Sequence, residues 1–117
     1  FMLNVVAKKK TDPAGAVLIR GLEPIDGIKY MIRNRKGKPN NNLTNGPGKL
    51  SEALQINKKL NNHDLTKKGE LCIVNAEKRS EKILTSGRIG ISMDAKKEWR
   101  FYLDDNPYVS KYKFNKK

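Results

Sequence analysis

Cysteine and histidine are almost missing from this chain, with Cys72 and His63 the single examples of each. A lone thiol closes no intrachain disulfide, which points to a reducing interior and to a core-filling role for Cys72. His63 stands in the polar stretch NNHDL without Cys or His companions, so it builds no zinc site. No apolar run approaches the roughly 20 residues of a membrane-spanning helix, and no segment has the charged, apolar and small-residue succession of a secretion signal. The expectation is a soluble protein, not secreted and not held in a membrane. Aromatics are few, three Phe, four Tyr and one Trp, and they do not form the repeated basic-aromatic ladder of a single-strand-binding surface. No Ser/His/Asp or Cys/His set has persuasive spacing, and no paired carboxylates occupy an apolar setting, so an acid or base for catalysis is hard to find here. Acids are scarce too: 12 Asp and Glu face 25 Lys and Arg, a formal net charge of +13. That excess is the electrostatic footprint of a nucleic-acid binder, with an anionic membrane surface as the competing partner. At 117 residues the chain has room for one core and one domain.

What is present is organised around Gly15 to Pro24, GAVLIRGLEP. Ala16, Val17, Leu18 and Ile19 form an apolar run between turn residues, which reads as a strand buried on both faces in the middle of a sheet. Alternation sets Arg20 on the face of Leu18 and Leu22. A guanidinium there needs a partner, either a carboxylate such as Glu23 or Asp26 in a structural ion pair, or a bound phosphate.

Ahead of it, residues 2–7 also alternate, with Asn4 as a lone amide beside Met2 and Val6. The run opens at Phe1 with no lead-in, which reads as a strand whose start is missing. The short charged connection KKKTDPAG makes 2–7 and 16–22 an antiparallel hairpin and brings Asn4 near Arg20, with one shared pocket as the expectation. Ile25, Ile28, Met31 and Ile32 fall at helical spacing, and Gly37 and Pro39 end that helix. A second helix starts near Gly48 with Leu50, Ala53 and Leu54 as its apolar stripe. Residues 70–75, 83–84, 88–93 and 99–103 read as strands, followed by the turn DDNP and a basic tail.

The segment NGPGKL places glycines and Lys49 at that second helix start, where free backbone N–H groups suit an anion. GPGK lacks the spacing of a nucleotide-binding P-loop. Two readings stay open: a contact to one backbone phosphate, or a plain loop-to-helix junction with a solvated lysine.

The ordered strings NVVA, GAVLIRGLEP, NGPGKL, ALQINKKLNNHDLT, GRIGIS, WRFYL and NPYVSK together resemble the alkyladenine, or 3-methyladenine, DNA glycosylases of base-excision repair. The resemblance runs from Phe1 to about Lys111. It implies an α+β fold: a curved, mostly antiparallel, open barrel-like sheet with flanking helices, incomplete at its N-terminus, residues 1–117 being the C-terminal portion of a single glycosylase domain. It further implies a monomeric, metal-free and cofactor-free enzyme of the bacterial cytoplasm and nucleoid, or of the nucleus. Its partner is duplex DNA containing damaged purines. By the same resemblance Asn4 reads the edge of a flipped purine, Arg20 holds the flipped nucleotide and the attacking water, the Ile89 carbonyl accepts from that water, and Lys49 contacts the DNA backbone. Counterparts of the family's catalytic glutamate, its stacking histidine and tyrosines and its wedge tyrosine are not found in these residues. The expectation is therefore a glycosylase component inactive by itself, the alternative a non-catalytic, basic nucleic-acid-binding remnant.

Overall fold

The structure, a computed structural model, describes residues 1–77 and 80–111. Of the basic tail expected over residues 108–117, residues 112–117 lie outside the described residues.

The first hairpin forms as its alternation predicts. Strand β1 (Asn4–Val6) pairs antiparallel with β2 (Ala16–Leu18), Asn4 opposite Leu18 and Val5 opposite Val17. Backbone bonds from Ala7 to Gly15 and from Ile19 to Leu3 carry the ladder one step further at each end. Asp12 closes the turn by accepting from the Lys9 N–H through its carboxylate and from the Lys8 ammonium through its carbonyl. The expectation of a mid-sheet strand buried on both faces is corrected: among the described residues β2 has β1 as its sole neighbour in that sheet, and Val17 is 56% exposed. An apolar run records what a strand could bury, and here no described strand pairs along its second edge.

Helix α1 (Ile28–Asn34) starts later than the spacing predicts, because Gly27 takes a left-handed conformation, φ 69°, at its N-cap and leaves Ile25 79% exposed. Gly37, φ 76°, ends the helix by donating to the Ile32 carbonyl. Helix α2 (Pro47–Ala53) has Pro47 in its first turn, where a missing N–H costs nothing, and buries Leu50, Ser51 and Ala53. With Leu43 and Leu50 at 0% exposure, and with Ile56 and Tyr102, it forms the core. The two helices are tied by polar links: the Asn34 amide donates to the Ala53 carbonyl, Gln55 donates to the Asn34 oxygen, and Arg35 pairs with Glu52.

A second hairpin pairs β3 (Ile83–Ser86) with β4 (Arg100–Leu103), Ser86 opposite Arg100. Among the described residues the sheets are therefore two small antiparallel pairs, and the open barrel-like sheet is not seen. Residues 70–75 and 88–93 are not strands. In the first, Ile73 bonds to the Leu65 carbonyl and leaves Val74 exposed; in the second, Gly90 turns the chain at φ 71° and Met93 points outward. No helix among the described residues is long and apolar enough to cross a membrane.

Candidate functional site

Between β2 and β4 lies an open cavity of about 770 Å³. One wall is residues 16–23, the opposite wall is residues 99–103, and residues 88–91 and 106–110 complete it. Arg20 and Ile89, both given site roles by the family resemblance, line it. Arg20 is half-buried and makes no ion pair or hydrogen bond among the described residues, so the structural pairing with Glu23 or Asp26 is not formed. Asp26 instead accepts from the Gly27 N–H.

Two further arginines share the cavity. The Arg88 guanidinium lies 5.3 Å from the Trp99 ring centre and donates to the Met93 carbonyl at 2.8 Å. Arg100 is 6% exposed, donates to Ser86 Oγ at 3.0 Å and to the Ser110 carbonyl at 3.3 Å, and covers the Tyr102 ring at 4.3 Å. Glu23 is the one carboxylate among the described lining residues. Guanidinium groups beside aromatic faces suit a ligand that joins a negative charge to a planar ring.

Asn4 goes elsewhere. It lines a second cleft of about 1020 Å³, between β1 and the segment that carries Ile56, Leu60, His63 and Leu71. The pairing of β1 with β2 is as expected, yet each strand fronts a different cleft, so the expected common pocket for Asn4 and Arg20 is not formed. His63 in that cleft is structural: its Nε2–H donates to the Leu71 carbonyl at 2.7 Å. Next to it, the Thr66 hydroxyl and then the Thr66 N–H hold the Asp64 carboxyl below the ordinary aspartate range, with Lys67 adding to the effect.

Lys49 lies in neither cavity. Its ammonium donates to Asn42 Oδ1 at 2.6 Å and Asn45 Oδ1 at 2.9 Å, so it is folded onto its own loop rather than extended into solvent. Sequence reasoning passed over Arg100 and Ser110. The signal for Arg100 was the same as for Arg20, a lone charge inside an apolar strand, WRFYL.

The arginine-lined cavity acquires its meaning from relatives. A family model described as methylpurine-DNA glycosylase matches residues 1–107. The chain belongs to the methylpurine-DNA glycosylase family. It is similar to a protein of Natranaerobius thermophilus named "Putative 3-methyladenine DNA glycosylase", 44% identical over 116 residues that span 94% of this chain and 58% of that one. A protein of the same name in Clostridium tetani is 42% identical over 119 residues, 92% of this chain and 58% of its own. Another, in Prosthecochloris aestuarii, is 44% identical over 94% of this chain and 52% of its own length. The chain thus spans little more than half of the curated relatives it matches, and the methylpurine-DNA glycosylase match takes in Asn4, Arg20, Lys49 and Ile89 alike.

Proposed function

We propose that this chain is the part of a DNA repair glycosylase that holds an alkylated or deaminated purine nucleotide after its extrusion from duplex DNA, in an enzyme that hydrolyses the N-glycosidic bond. The single observation that carries the reading is the cavity that joins Arg20, which has no carboxylate partner among the described residues, to the Ile89 segment in a chain of this family.

Extrusion costs a few kcal/mol of unstacking, least for a damaged base, and a cavity lined by cations and rings offsets that cost. Arg20 donates to the phosphate or sugar side of the extruded nucleotide. The Ile89 carbonyl accepts from the attacking water and orients it, while Arg20 stabilises charge as the bond breaks. The general base is a glutamate from outside these residues. Asn4, which fronts the other cleft, has no part in holding the purine in this cavity. Lys49 neutralises a backbone phosphate by exchanging its asparagine partners for that phosphate. The enzyme acts as a monomer, without metal or cofactor, in the bacterial nucleoid or the nucleus.

The test is base release from a duplex carrying one methylated purine, by a chimera in which this chain is joined to the portion of the Natranaerobius relative that its match does not cover. Release is expected, and Arg20→Ala slows it by about a hundredfold while changing duplex affinity far less, because orientation matters most in the transition state. Intact duplex binding without any release supports the alternative, a non-catalytic basic DNA-binding protein, which the net charge of +13 also suits.

A further inference from the structure

Arg100 is the most deeply buried arginine among the described residues, and its surroundings make it more than a wall of the cavity. A guanidinium out of water is tolerated only when oxygens and rings replace its hydration. Ser86 Oγ on β3, the Ser110 carbonyl beyond β4 and the Tyr102 ring do so. The Ser110 hydroxyl then donates to the Asn45 carbonyl, across 65 positions of sequence. Asn45 is one of the two amides that hold the Lys49 ammonium. Its neighbour Thr44, 1% exposed, donates through its hydroxyl to the Leu22 carbonyl at 2.6 Å and accepts from the Leu22 N–H at 3.2 Å.

Gly21, next to Arg20, is pressed between the same segments. A Cβ there would stand 2.9 Å from the Tyr108 carbonyl oxygen and 3.3 Å from that of Thr44. The backbone next to Arg20 is therefore packed against Tyr108 and against residues 44–45. Arg100 grips the 108–110 segment directly and reaches the 44–45 loop through Ser110.

We propose that Arg100 is a positioning residue: its buried guanidinium fixes the 108–110 segment against β3 and β4, and through Ser110 it registers the 44–45 loop, so that one cation places both Arg20 and Lys49. In this role it acts through the segments it holds rather than on the reacting atoms. The placement stands independently of the proposed function; only its consequence for base release rests on that reading.

Amide hydrogen exchange, followed by NMR on the full 117-residue chain, tests it with Arg100→Lys, Arg100→Met and Ser110→Ala. The Leu22 amide reports the 44–45 loop and the Val109 amide, bonded to the Asn106 carbonyl, reports the 108–110 segment; Ala7 and Asp12 report the remote end of the β1–β2 hairpin. Arg100→Met speeds exchange at Leu22 and Val109 by about tenfold or more and leaves Ala7 and Asp12 unchanged, the mark of local opening. Ser110→Ala keeps the carbonyl that Arg100 grips, so it speeds Leu22 alone. Arg100→Lys, which retains the charge without the planar fork, falls between the wild type and Arg100→Met. Unchanged exchange at Leu22 in Ser110→Ala overturns the proposal, as does an equal rise at all four amides in Arg100→Met. If Arg100→Met does not fold, Ser110→Ala decides. In the chimera, Arg100→Lys lowers the rate of base release at saturating duplex. A chimera with no base release, in combination with the expected exchange pattern, removes the proposed function and leaves the positioning role intact.

Discussion

At the residue scale, what separates the candidate groups is who their partners are. Arg20 lacks a carboxylate partner among the described residues, while Lys49 is held by two amide oxygens and Arg100 by hydroxyl, carbonyl and ring. Neutral amides hold an ammonium weakly compared with a phosphate, and the proposed role has Lys49 exchange them for one. Lys49→Ala is expected to weaken duplex binding by a similar factor for every sequence and to reduce the slope of log affinity against log salt by about one. A loss confined to damaged duplex would place Lys49 in the pocket instead. Asp64 gives a prediction of another kind. Its carboxyl is held below the ordinary aspartate value of 3.8 by the Thr66 hydroxyl and N–H. A depressed folded-state pKa contributes stability that is present above the unfolded value and is lost as pH falls through the folded one. The turn at 64–67 should therefore keep its hydrogen bonds at neutral pH and open only in acid. The Thr66 amide shift in NMR should titrate with a midpoint below 3.8; a midpoint at or above that value would remove the hydrogen bond's role. The sequence marked Arg20 because a charge interrupts an apolar run, and marked Lys49 because glycines precede it. It could not mark Ser110, whose role depends on a carbonyl 65 positions away.

At the scale of elements, α2 is the piece on which the rest depends. Leu50 is fully buried, Ser51 donates back to the Pro47 carbonyl, and Ala53 accepts from α1. Leu50→Ala leaves a cavity that the surrounding loops fill only in part, so a loss of roughly 2–5 kcal/mol in unfolding free energy is expected, read from urea denaturation. A loss under about 1 kcal/mol would show that the core lies elsewhere. Local signals predicted local elements well: the first hairpin followed from alternation and a short charged turn, and α2 from a Gly-Pro-Gly start and the Leu50–Ala53 spacing. The strands expected at 70–75 and 88–93 failed because strand formation needs a partner as well as an apolar run. Ile73 bonds to a loop carbonyl, and the positive φ of Gly90 bends the second segment away from any ladder. The helix at 25–36 was foreshortened by Gly27, whose left-handed backbone a periodicity count does not register. The same limit explains the split between Asn4 and Arg20: pairing makes strands neighbours, while the clefts they face are set by what packs beyond each of them.

For the whole molecule, a net charge of +13 suits a polyanionic partner, and in the proposed reading the arginine-lined cavity takes one nucleotide of it. Membership of the methylpurine-DNA glycosylase family joins the two, and the central claim is that an extruded purine nucleotide enters the cavity at Arg20 and Ile89. The most direct measurement uses a duplex in which the fluorescent base 2-aminopurine flanks a single methylated purine, titrated with the chimera described above. Extrusion of the methylated base unstacks its neighbour, so fluorescence should rise on binding, and at saturation Arg20→Ala should return it to the level of an undamaged duplex while the complex remains formed. An equal rise with Arg20→Ala, or no rise in a saturated wild-type complex, would contradict the assignment of this cavity.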